Sequence, residues 1–420
     1  MENNLSTRGN TLADQKPVFL DVLQDIWDPV ENPNGIVNIG LAENTLMHPE
    51  MKDFLNSQSQ LHVDSHSLTY GDGFSGSQRL KESLCHFLNN QFAPVTQLHP
   101  SQMAITSGVS NAIEAAAWAL FDPGDHVMVG RPYFNAFRTI FGSRAGVELL
   151  EVKFGAVDPF SFDAIDQYEV ALFLARKRGI RVKALVLCSP HNPLGRCYPE
   201  DIIKEYMRFC GKHNLHLISD EIYALSVWNN PELPEAALFK SVLSVPPKGL
   251  IDPSMLHVAW GLSKDFGATG LRIGCLISQS NKHILDAADG ISLFNFPSSL
   301  ADKLTSSILF DNEFTSKYIV TNQQRLLESY CFATKFLNDH GILYHKSNAA
   351  FFLWINLGAA TKNSKISDDE ILGRLRAKKV YIAAGSAYMS EETGWFRMVF
   401  AHPTNVLEKG FRRMVEALDI

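Results

Sequence analysis

The sequence predicts an α/β protein: a mostly parallel seven-stranded sheet sandwiched by helices, followed by a smaller α+β domain. Three observations predict it. Short apolar, β-rich runs alternate with longer helical patterns through the middle of the chain, as parallel strands joined by crossover helices do. Clusters of small and polar residues stand directly after several of those runs, where the ligand site of a parallel sheet forms. After Phe294 the texture changes to long helical patterns with isolated strand-like runs.

Taken in order, the apolar runs at 103–106, 126–129, 147–152, 184–188, 216–219, 256–260 and 273–277 read as the strands of one sheet. They fall in a large domain expected over 55–294. Between them, 163–178 and 199–212 carry apolar residues at helical spacing, with Gly179 and Gly211 as stop signals. The stretch 243–254, rich in Pro, Gly and Ser, reads as a surface loop between large-domain elements. Helical patterns across 300–340 precede a strand at 351–357, a helix at 368–379, a strand around 395–400 and a closing helix, which gives a small domain over 295–420. Residues 1–54 read as an N-terminal arm and part of that small domain. A chain of 420 residues exceeds one typical core, so two domains are expected.

The formal charge of −7 leaves no basic surplus to neutralise phosphodiesters, and no Lys/Arg run forms a nucleic-acid or lipid patch. Nucleic acid and membrane partners are therefore not expected. Cys85, Cys188, Cys197, Cys210, Cys275 and Cys331 lack CxxC or CxxH spacing, which argues for reduced thiols rather than disulfides or a metal site. Residues Met1 to Lys16 are polar and carry both charge signs, without the apolar segment of a secretory signal, and no run of eighteen apolar residues occurs. The expected location is the cytoplasm.

Four polar clusters follow the predicted strands. Ser107-Gly108-Val109-Ser110-Asn111 opens a helix whose free amides and dipole favour a phosphate, although a plain helix cap has the same composition. In Ser189-Pro190-His191-Asn192-Pro193, the Asn192 amide is held in a turn with donors to offer; an ordinary Asn-Pro turn reads alike. Asp220, in Asp220-Glu221-Ile222-Tyr223, ends a buried strand, where a carboxylate is costly unless it meets a cation or caps a helix. Ser263-Lys264, with Arg272 eight residues after the lysine, suits an aldehyde cofactor carrying a phosphate. Neighbouring positive charge lowers a lysine pKa toward Schiff-base chemistry, and a guanidinium clamps phosphate in two-pronged fashion. Alone, such a pair is more often a solvated surface.

Together these residues resemble the fold-type I pyridoxal-phosphate enzymes, the aspartate aminotransferase superfamily. Within it the chain is similar to 1-aminocyclopropane-1-carboxylate (ACC) synthases. The resemblance is carried by Gly40-Leu41-Ala42-Glu43-Asn44, Pro132-Tyr133-Phe134, Asn192-Pro193-Leu194-Gly195, Asp220-Glu221-Ile222-Tyr223, Leu262-Ser263-Lys264-Asp265, Ser347-Asn348-Ala349 and Gly394-Trp395-Phe396-Arg397. It implies that Lys264 holds the cofactor aldehyde covalently and, once freed by substrate, moves the Cα proton. Asp220 would keep the pyridine nitrogen protonated, Asn192 and Tyr223 would hydrogen-bond the phenolic oxygen, and Phe134 would stack on the ring. The Val109 and Ser110 amides, Ser263 and Arg272 would hold the phosphate. Arg397 would grip the substrate α-carboxylate. For Phe134 and Arg397, core packing and a surface ion pair are the plain readings.

Two positions depart from the family pattern. The serine that usually stands three residues before the lysine and helps bind phosphate is Gly261 here. The segment Tyr70-Gly71-Asp72-Gly73-Phe74-Ser75-Gly76, which corresponds to the one that lends a tyrosine to the neighbouring subunit, is one residue longer, so Tyr70 or Phe74 could take that place. The resemblance thus implies a homodimer with shared sites. Glu43 matches a substrate-facing carboxylate and favours a cationic substrate such as S-adenosylmethionine, or else caps the next helix. The implied activity is carbon–sulfur cleavage yielding ACC and methylthioadenosine. β-Elimination from a cysteine conjugate and transamination use the same residues. A transcription regulator on this fold would need a basic helix-turn-helix extension, and only about forty mostly polar or acidic residues precede Gly40.

Overall fold

The computed structural model describes residues 4–14, 19–57, 63–361 and 366–420. Of the N-terminal stretch read as lacking a signal, residues 1–3 and 15–16 lie outside the described residues.

All seven apolar runs form strands of one sheet: β1 (Met103–Ser107), β2 (His126–Gly130), β3 (Glu148–Val152), β4 (Val182–Cys188), β5 (His216–Asp220), β6 (Leu256–Gly261) and β7 (Ile273–Ile277). Their spatial order is β1-β7-β6-β5-β4-β2-β3. Only β7 runs antiparallel to its neighbours β1 and β6; the remaining pairs are parallel. Helices cover both faces, so the central strands carry unbroken apolar runs rather than an alternating pattern; every residue of β6 is buried.

The crossover helices fit the sheet by their apolar stripes. Asp163–Lys177 buries Ala164, Tyr168, Leu172 and Ala175, and Glu200–His213 buries Ile202, Ile203, Tyr206, Met207 and Cys210, both at helical spacing. Val109–Leu120 lies against β1 and β7 on small residues, Ala112, Ala115, Ala116 and Ala117, which let its axis approach closely. One expected stop signal is corrected. Gly211 lies inside its helix, which runs to His213 and ends at Asn214 in a left-handed conformation with φ 57°. A Cβ at Gly211 would lie 2.0 Å from the Leu250 carbonyl oxygen, so this glycine serves close packing rather than termination.

Beyond the large sheet, the helices Ser299–Phe310 and Asn312–Asp339 lead to a four-stranded antiparallel sheet. Its order is Ala383–Ala384, Trp395–Val399, Phe352–Asn356 and Leu343–His345. The N-terminal Val37–Asn38 pairs in parallel with Val380–Tyr381, which brings the arm to that region. All six cysteines are free, and five of them are buried. Among the described residues, no helix is long and apolar enough to cross a membrane.

Candidate active site

The carboxyl ends of β1, β4, β5 and β6 surround a cavity of about 210 Å³. At one end, the chain leaves β1 through Gly108 at φ 81°, a conformation open to glycine, and enters the helix Val109–Leu120. Val109 and Ser110 line the cavity at this helix start, where backbone N–H groups have no intrahelical partners. Arg272 lies directly over Gly108, since a Cβ on that glycine would come within 2.3 Å of Arg272 Nη2. That nitrogen donates to the Ser107 carbonyl at 2.9 Å, while Nη1 donates to the Thr269 carbonyl at 3.0 Å. Arg272 holds a left-handed φ of 54°, a strained state for a non-glycine residue that its two carbonyl anchors help maintain. Ser263, buried, completes this cationic, donor-rich end. Ser107 does not cap the helix through its side chain.

At the other end stands Asp220, the last residue of β5, 2% exposed. Its carboxylate accepts one hydrogen bond, from the Ile222 N–H at 3.3 Å. Burial pushes its pKa up to about 7, against the pull of that N–H and of the Lys264 charge. No helix follows for it to cap; the next residues form a turn. Among the described residues, this acid has no full cationic partner. Lys264 follows β6 on a single helical turn, and its amine donates to the Ala42 carbonyl. Burial lowers its pKa to about 8, helped by Arg397 and Arg272 and opposed by Glu43 and Asp220. Phe134 and Tyr223 line the same cavity; Tyr223 is packed edge-on against Phe351 and Phe352, each at 5.4 Å.

Arg397 comes from the strand Trp395–Val399 and is 3% exposed, so it is no surface ion pair. Its Nη2 donates to the Gly40 carbonyl at 2.7 Å and its Nη1 to Asn192 Oδ1 at 3.1 Å, while its Nε is buried with no partner among the described residues. Because Asn192 commits its oxygen to Arg397, its NH2 is the group with donating capacity left for the cavity it lines. The guanidinium is flanked by the rings of Phe352 and Tyr388, 5.0 and 4.8 Å away. Sequence reasoning missed these two aromatic walls and also Thr269. Phe352 sits in a run that reads as core strand, and Tyr388 carries no local signal.

Glu43 is half-buried and near enough to influence Lys264 electrostatically; it stands apart from the start of the helix His48–Ser57. Tyr70 is not brought to this cavity. It is 72% exposed and packs with Phe74 and Phe296 in a separate surface hollow of the same chain.

The residues fit pyridoxal 5'-phosphate. A helix start with an arginine over it suits the phosphate, an accessible amine of lowered pKa suits the aldehyde, and an acid buried without a full counter-ion suits a protonated ring nitrogen. The missing serine at position 261 has a steric reason: a Cβ there would meet the Ile273 carbonyl oxygen at 2.6 Å and Gly274 Cα at 2.9 Å.

Residues 36–414 match the family "Aminotransferase class I and II". The chain is 34% identical over 403 residues to "Probable inactive 1-aminocyclopropane-1-carboxylate synthase-like protein 2" of Mus musculus, across 94% of this chain and 68% of that one. It is 31% identical over 386 residues to "Probable aminotransferase aclI" of Aspergillus oryzae, across 91% of this chain and 90% of that one. Aspartate aminotransferase from Thermus thermophilus with maleate superposes with a TM-score of 0.75 at 21% identity, over 99% of each chain, a likeness that shows the fold. The family match and the sheet order agree, and the chain belongs to the class I and II aminotransferases, as a pyridoxal-phosphate-dependent, aminotransferase-like enzyme of fold type I with ACC synthase-like relatives.

Proposed function

We propose that this enzyme cleaves a carbon–sulfur bond in a sulfur-bearing amino acid, with S-adenosylmethionine giving ACC and methylthioadenosine as the leading case. The observation that carries this reading is the Glu43 carboxylate, which stands close enough to the catalytic amine to raise its pKa. A carboxylate at the substrate side attracts a sulfonium and gives nothing to a neutral or acidic side chain. Bound pyridoxal phosphate supplies an electron sink for charge left at Cα.

The chain's own residues do the rest. Arg397 takes the substrate α-carboxylate, whose second oxygen can satisfy the Nε that otherwise has no partner. Phe352 and Tyr388 flank the guanidinium and restrict its movement. The Lys264 amine, already lowered to about 8, accepts the Cα proton near neutral pH. Asp220 keeps a proton on the ring nitrogen, Asn192 and Tyr223 donate to the phenolic oxygen, and Phe134 covers the ring. The Val109 and Ser110 amides, Ser263 and Arg272 hold the phosphate.

Transamination is the second reading, favoured by the family match and by the similarity to the Aspergillus oryzae aminotransferase. Mass spectrometry of products from S-adenosylmethionine, from cysteine conjugates and from amino acid and keto acid pairs separates the cases. Methylthioadenosine without keto acid supports the proposal. Thiol with ammonia marks β-elimination, which keeps carbon–sulfur cleavage and overturns S-adenosylmethionine as the leading case; keto acid that depends on an added acceptor, with no sulfur product, marks transamination and overturns the proposal.

We further propose a division into residues 1–54, 55–294 and 295–420, supported by the pairing of Val37–Asn38 with Val380–Tyr381. A cytoplasmic location accords with six free cysteines. A homodimer with shared sites accords with the exposed Leu68, Tyr70 and Phe294, at 77%, 72% and 79%.

A further inference from the structure

We infer that Thr269 supplies the phosphate-binding hydroxyl that Gly261 cannot. The inference rests on the phosphate placement proposed above, at the start of the helix Val109–Leu120 beside Arg272. Residue 261 cannot carry a side chain, because its Cβ would collide with the backbone of β7 at Ile273 and Gly274. A hydroxyl in addition to that of Ser263 would come from another element. Thr269 lines the cavity with Ser263 and Arg272 and is fastened to both. Its Oγ1 donates to the Ser263 carbonyl at 3.0 Å, and its own carbonyl accepts from Arg272 Nη1 at 3.0 Å. The residue is therefore fastened to two groups assigned to the phosphate, through its hydroxyl to Ser263 and through its backbone carbonyl to Arg272.

A threonine hydroxyl has one proton on a freely turning O–H bond. Without an anion that proton points to the Ser263 carbonyl. A phosphate oxygen is the stronger acceptor, since charge-assisted hydrogen bonds are roughly twice as strong as neutral ones. The O–H turns toward it with no heavy-atom movement. Serine 263 loses one acceptor bond at its carbonyl, and the phosphate gains a donor from a loop rather than from the strand end.

The test measures cofactor affinity, not turnover. Protein stripped of cofactor is titrated with pyridoxal phosphate and, separately, with pyridoxal, which lacks the phosphate, following visible absorbance and protein fluorescence. Thr269→Val keeps the side-chain shape and removes the hydroxyl. It is expected to weaken pyridoxal phosphate binding about tenfold or more while pyridoxal binding stays unchanged, and Thr269→Ser restores the parent affinity. Parent-like affinity in both Thr269→Val and Thr269→Ala overturns the inference. So does an equal loss for both ligands, which would mean a structural role. Arg272→Ala is the control for the placement itself: if it leaves the preference for the phosphorylated ligand intact, the phosphate lies elsewhere and the assignment of Thr269 falls with it.

Discussion

On the assignment proposed above, the Lys264 amine is the group whose charge state decides when the enzyme can take up its cofactor. Only the free amine attacks an aldehyde, and burial with two nearby guanidinium groups brings its pKa from the usual lysine value to about 8. The rate of covalent capture of pyridoxal phosphate by the stripped protein should therefore rise with pH, reach half its plateau near pH 8, and level off above it. Glu43 raises this pKa and Arg397 lowers it. Glu43→Gln should move the midpoint down and Arg397→Gln should move it up, as read from stopped-flow absorbance over a pH series. A midpoint that ignores both substitutions would contradict the electrostatic account. Asp220 makes the complementary prediction. Its folded pKa of about 7 exceeds the ordinary 3.8, so the folded, cofactor-free protein holds a proton that the unfolded chain has lost. Stability from this group is present at acid pH and falls as pH rises from about 4 to about 7. Glu221 and Asp265, also buried and raised to about 7, act in the same direction. The melting temperature of stripped Asp220→Asn should decline less between pH 5 and pH 7 than that of the parent.

At the scale of elements, the strands were legible because parallel strands covered on both faces must be apolar throughout, and the site was legible because its polar residues stand immediately after them. Asp220, Asn192 and Lys264 each follow such a run, and each arrives at one cavity. Legibility failed where a residue's role depends on a distant segment. Gly211 has the composition of a helix stop, but it admits the Leu250 carbonyl against the helix. Phe352 and Tyr388 flank Arg397 only once two separate segments have folded together, and an aromatic in an apolar run reads as core. Gly261 makes the dependence testable. It ends β6 in extended backbone, so the obstacle to a larger residue is space and not conformation. Gly261→Ser should destabilise the protein by about 1–3 kcal/mol through overpacking against β7, seen as a lowered urea midpoint. It should not tighten binding of pyridoxal phosphate, although it restores the residue type usual in the family. Tighter binding with unchanged stability would show that β7 can yield.

For the whole molecule, the site joins segments far apart in the chain: Arg397 bonds Asn192 and Gly40 across 205 and 357 positions. Tyr70 of the same chain stands outside it, in a separate surface hollow among exposed apolar side chains. A contact between two copies would leave no trace in the periodicity of one, so composition alone leaves open whether Tyr70 or Phe74 takes that place in the proposed dimer. Sharing of sites has a consequence that no structural role of Tyr70 reproduces. If each site takes Lys264 from one copy and Tyr70 from the other, a dimer of one Lys264→Ala chain and one Tyr70→Ala chain has one site with both lesions and one with neither. Statistical mixing of equal amounts makes half of all dimers mixed, so product formation should recover to about a quarter of the parent value from two nearly inactive parents. The measurement is turnover after the two variants are unfolded together and refolded, against each refolded alone. Activity that equals the average of the two variants at every mixing ratio would mean that each chain completes its own site, and Tyr70 would then have to act within the chain that carries it.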